Sequence, residues 1–84
     1  MSGKILIVDD ESDIRNLLEE ILSEEGYEVV SAADAAEART AYTNEQPELI
    51  LLDIWMPDTD GITLLREWAD FGLSCPVVMM SGHG

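Results

Sequence analysis

Short runs of branched apolar residues alternate along the chain with longer stretches whose apolar residues recur every three or four positions. The short runs are Lys4 to Val8, Glu28 to Ser31, Leu49 to Asp53 and Pro76 to Met80. The first and third are apolar almost throughout, which predicts strands covered on both faces. A first helix is predicted from Ser12 to Glu25, with Ile14, Leu17, Leu18, Ile21 and Leu22 on one face and Gly26 placed to end it. Asp34-x-x-Glu37 is a capping arrangement for a second helix that runs to Thr43, and Gln46-Pro47 closes the connection after it. The turn-rich segment Met56 to Gly61 leads into a third helix with Ile62, Leu65 and Trp68 in register and Leu64 beside them. The order βαβαβαβ predicts an α/β fold, an open parallel sheet with helices on both faces. Strand order 2-1-3-4 is preferred, a choice that spacing alone does not fix.

This pattern places three carboxylates at one end of the sheet. Asp9 and Asp10 follow the first strand, and Asp53 ends the third. Ligands of open parallel sheets bind outside the carboxyl ends of the strands, where strand order reverses. If the first and third strands are neighbours, the three acids converge. Like charges brought together in low dielectric need a compensating cation or proton, and a hard dication such as Mg²⁺ suits carboxylate donors. The plain alternative is a helix N-terminus decorated with acids, which the macrodipole favours. It accounts for Asp10, Glu11 and Asp13 but not for Asp53 beside them.

Composition narrows the function classes. The 84 residues carry 18 acidic against 4 basic side chains, a net charge of −14. That argues against direct binding to nucleic acid or to an anionic membrane. At 46% hydrophobic residues the chain reads as one small globular unit. A single cysteine, Cys75, precludes an intrachain disulfide and fits a reducing cytoplasm. The apolar N-terminal run is cut short by Asp9 and Asp10, unlike a secretory leader, and no stretch is long enough to span a bilayer.

The motifs resemble the receiver domain of two-component response regulators. Ile7-Val8-Asp9-Asp10-Glu11 resembles the acidic pair after the first strand of that family. Leu52-Asp53-Ile54-Trp55-Met56-Pro57-Asp58-Thr59-Asp60-Gly61 resembles its phosphoacceptor strand end and loop. Pro76 to Gly82 resembles its fourth strand with the hydroxyl residue, Ser81. The Asp-Ile-Trp-Met-Pro loop and the Ser-Gly-His-Gly end look most like receivers of NtrX-type regulators, which precede an AAA+ domain acting with sigma-54.

The resemblance implies a flavodoxin-like receiver fold and a set of roles. Asp53 would be the phosphoacceptor, charged by a sensor histidine kinase. Asp9 and Asp10 would hold Mg²⁺ together with Asp53 and the backbone carbonyl of Trp55. Ser81 would donate its hydroxyl to a phosphoryl oxygen. An output domain, AAA+ and DNA-binding in NtrX-type proteins, would read the phosphorylated state. The family fold has five strands and five helices, so residues 1–84 are expected to be the N-terminal portion of a single receiver domain, lacking strand five and helices four and five. The lysine that ends strand five would be absent too, leaving no catalytic lysine, since Lys4 lies at the opposite end of the first strand. Loss of such a positioned cation is expected to slow phosphorylation by ~10²–10³ while sparing metal binding. The exposed edge of the fourth strand is expected to promote self-association. A non-catalytic, self-associating or kinase-docking module is the main alternative. A hydrolase of the haloacid-dehalogenase type would place a second acid two residues after the nucleophile, where this chain has Trp55. His83 reads as a loop residue, Cys75 as an ordinary thiol, Met79 and Met80 as strand residues packed on opposite faces, and Gly61 as a residue that permits a turn.

Overall fold

A computed structural model describes residues 3–56 and 60–80. Four strands, β1 (Lys4–Val8), β2 (Glu28–Ala32), β3 (Leu49–Asp53) and β4 (Val77–Met80), alternate with three helices, α1 (Ser12–Glu24), α2 (Ala35–Glu45) and α3 (Gly61–Asp70). All strand pairs are parallel and the sheet order is β2-β1-β3-β4. The architecture is therefore the one expected, with boundaries displaced by one or two residues. β2 extends through Ala32, α2 runs two residues past Thr43, and β4 begins after Pro76 because proline has no N–H for a ladder.

Local chemistry accounts for the helix ends. Asp34 caps α2 by accepting from the Glu37 amide at 2.8 Å. Glu37 reaches back past the cap to the Ala33 amide at 2.7 Å, a box one residue wider than the standard one. Gln46 ends α2 with φ 49°, a left-handed turn that releases the chain into Pro47. Gly26, with φ 94°, follows α1 as expected. Asp60 caps α3 through the Thr63 amide at 2.7 Å, and that hydrogen bond holds its carboxyl below the ordinary aspartate range.

Alternate residues of the sheet face opposite sides. Leu6, Val8, Ile50 and Leu52 pack with Ala35 and Ala38 of α2 and Leu64 and Trp68 of α3 to form the main core. Tyr42 stacks on Trp68 with centroids 5.0 Å apart. Ile5 and Ile7, also buried, face the side that α1 covers. Two expectations are corrected here. The buried stripe of α3 is Gly61, Leu64 and Trp68, and Ile62 points outward. On α1, Leu18 and Leu22 are half-buried and Ile14, Leu17 and Ile21 are exposed, because a single helix lies over that face while two cover the other. No helix among the described residues is long and apolar enough to cross a membrane.

Candidate functional site

The register of the two central strands builds the site. Val8 of β1 pairs with Leu52 of β3, so the next residues, Asp9 and Asp53, emerge side by side. One carboxylate oxygen each from Asp9, Asp10 and Asp53 lies within 4.8 Å of the others. Asp53 is 1% exposed and Asp9 is buried, whereas Asp10 faces solvent. The three acids predicted to converge do so.

Both strand-end aspartates grip the turn that follows in the same way. Asp9 Oδ1 accepts from the Glu11 amide at 2.9 Å, and Asp53 Oδ1 accepts from the Trp55 amide at 3.2 Å. Each is a two-residue side-chain turn that reverses the chain directly after the strand. One oxygen of each carboxylate is thereby fixed to the backbone. The Glu11 side chain does not cap α1, so the Asp9 turn organises that helix N-terminus. Trp55 stands exposed beside the cluster, as expected for the rim of the site. Ser81, the expected hydroxyl donor, and His83 lie outside the described residues, as does the part of the following loop at Pro57 to Thr59.

Gly61 belongs to the construction of the site, and its expected role is revised. Its φ is not positive. A Cβ placed on it would come within 2.2 Å of the Asp53 carbonyl oxygen and 3.0 Å of the Ile54 Cα, both backbone. The Gly61 amide donates to the Ile54 carbonyl at 2.7 Å. The glycine thus lets the start of α3 lie directly against the end of β3, under the buried carboxylate. Lys4 is far from the cluster in the sense expected. Its ammonium meets Glu45 at 2.9 Å and Glu28 at 3.0 Å at the other end of the sheet. Cys75 packs against the core, and burial raises its thiol above the ordinary cysteine value, as suits an inert thiol.

An all-oxygen donor set with two buried members suits a hard dication better than a soft metal. The family model for the response regulator receiver domain matches residues 5–84. The chain belongs to that family. The receiver is 40% identical over 84 residues to sporulation initiation phosphotransferase F of Bacillus subtilis, covering all of this chain and 68% of that protein. It is 45% identical over 86 residues to the nitrogen assimilation regulatory protein NtrX of Azorhizobium caulinodans, again over the whole chain but only 19% of NtrX. The crystal structure of NtrX from Brucella abortus superposes with a TM-score of 0.91 at 48% identity, over 100% of this chain and 19% of that one. The receiver is thus NtrX-like and spans a small part of the NtrX relatives. Receiver domains generally bind Mg²⁺ through an acidic pocket and partner with histidine kinases, and NtrX homologues carry output domains.

Proposed function

We propose that residues 1–84 form the N-terminal portion of one receiver domain and accept a phosphoryl group on Asp53. The donor is a phosphohistidine of a sensor histidine kinase in the cytoplasm. The observation that carries this reading is the convergence of Asp9, Asp10 and Asp53 from two neighbouring strand ends. An Asp53 carboxylate oxygen attacks phosphorus, an O–P bond forms, and the P–N bond to the imidazole breaks. The electron pair stays on the ring nitrogen of the donor. Asp9, Asp10, Asp53 and the Trp55 carbonyl would hold Mg²⁺. When bound, the ion neutralises charge on the transferring phosphoryl group. Asp9 and Asp53, pinned by their turns, bring preset oxygens. By the family resemblance, the Ser81 hydroxyl would donate to the phosphoryl group. In a longer parent, an AAA+ and DNA-binding output region would respond to the modified state. Lys4 stands at the far end of the sheet, held by Glu28 and Glu45, and takes no part in the transfer.

Intact mass after incubation with Mg²⁺ and a small phosphodonor tests the proposal. One phosphoryl adduct on the parent and none on Asp53→Asn supports it. A folded, Mg²⁺-binding chain with no adduct would refute phosphoacceptance by this chain. A second reading, a self-associating module without phosphotransfer, is favoured by the edge strand β4, whose Val78 is 48% exposed.

A further inference from the structure

Arg15 occupies the fourth position of α1, where the positive end of the helix dipole disfavours a cation. Helix stability does not account for it there. Its Nη1 donates to the backbone carbonyl of Asp9 at 2.7 Å, a short, charge-assisted hydrogen bond. That carbonyl belongs to the peptide joining Asp9 to Asp10. The other groups of Asp9 are also engaged: its amide donates to the Ala32 carbonyl at 3.1 Å, and its Oδ1 accepts from the Glu11 amide. The arginine therefore fixes the one backbone group of Asp9 that neither the sheet nor the side-chain turn holds. The orientation of this peptide sets the direction in which Asp10 leaves the chain, and Asp10 is the exposed member of the cluster.

We propose that Arg15 is a positioning residue, which aims the Asp10 carboxylate at Asp53 by holding the Asp9 carbonyl. The inference rests on the reading of the cluster as a divalent-cation site. It has a signature that simple electrostatics cannot produce. A guanidinium bound to the Asp9 backbone at the rim of the cluster repels an incoming dication, so removing its charge alone would tighten metal binding. Removing a strut that aims a ligand weakens it. Outer hydrogen bonds that orient metal ligands typically change affinity by about tenfold or more.

The test is calorimetric Mg²⁺ titration of the 84-residue chain, of Arg15→Met and of Arg15→Lys, with amide hydrogen exchange of Asp10 and Glu11 measured without metal. Arg15→Met is expected to bind Mg²⁺ about tenfold more weakly. Arg15→Lys, which keeps a cationic donor, recovers part of that loss. In Arg15→Met the Asp10 and Glu11 amides exchange faster while Leu6 and Ile50 amides in the core do not, which separates a loosened turn from a general loss of fold. Unchanged or tighter Mg²⁺ binding in Arg15→Met, with the parent binding normally, overturns the proposal alone. Absence of Mg²⁺ binding in the parent overturns the cation-site reading and this inference with it.

Discussion

Gly61 shows how much a single absent Cβ can decide. Its amide ties α3 to the end of β3, and its Cα sits where no side chain fits against backbone that cannot retreat. Gly61→Ala is therefore expected to destabilise the domain by about 1–3 kcal/mol, the usual range for forced overpacking, and to displace Asp53. Urea melts check the first effect and metal titration the second. Gly72, with φ 83° and open space where its Cβ would go, is the control for the effect on the site, because alanine there meets only the left-handed backbone penalty, about 1–2 kcal/mol. The acids were legible in the sequence because each one interrupts or follows an apolar run. The role of Gly61 was not, since a glycine before a helix reads as a turn and its contact comes from another element. Arg15 was hidden for a related reason. A cation early in a helix carries no sequence signal for the carbonyl it holds.

At the scale of elements, strand order and parallel pairing followed from the alternation of runs and helices together with the handedness of crossovers. The depth of helix burial did not. The apolar stripe of α1 fixes which face turns inward, whereas the amount of cover depends on how many helices share the sheet. On α3, the spacing admits a stripe through Ile62 and another through Leu64. The second wins because Gly61 brings that side of the helix against β3. Lys4 links three elements at the base of the sheet, and its hydrogen bond with Glu45, then that with Glu28, raises its pKa above the ordinary lysine value. A raised lysine contributes stability below its unfolded pKa and loses that contribution as pH rises through the folded value. Thermal melts across the alkaline range should therefore fall more steeply for the parent than for Lys4→Met. Asp60 and Glu67 have lowered pKa values, Asp60 through the Thr63 amide and Glu67 through Arg39, so their contributions disappear on acidification instead.

Over the whole molecule, a charge of −14 opposes association while the open side of the sheet favours it. The edge of β4 and the exposed Leu17 and Ile21 of α1 supply apolar and hydrogen-bonding surface. At about 0.01 M salt the Debye length is roughly 30 Å, comparable to the molecule, and at about 0.15 M it is roughly 8 Å. The self-association of the second reading proposed above would accordingly strengthen with added salt, read as a rise in weight-average mass by light scattering at micromolar concentration. A mass that stays monomeric at high salt would show that the edge is inert.

The two tryptophans differ in a way that makes the charge distribution visible to light. Trp68 is 3% exposed against Tyr42, while Trp55 is 57% exposed on the rim of the carboxylate cluster. Collisional quenchers reach Trp55 and largely miss Trp68. The surrounding anions concentrate caesium and turn iodide away. The ratio of caesium to iodide quenching, set against that of a neutral tryptophan amide, therefore gauges the potential at the mouth of the site without any label, and it should fall towards that reference when the charge is neutralised.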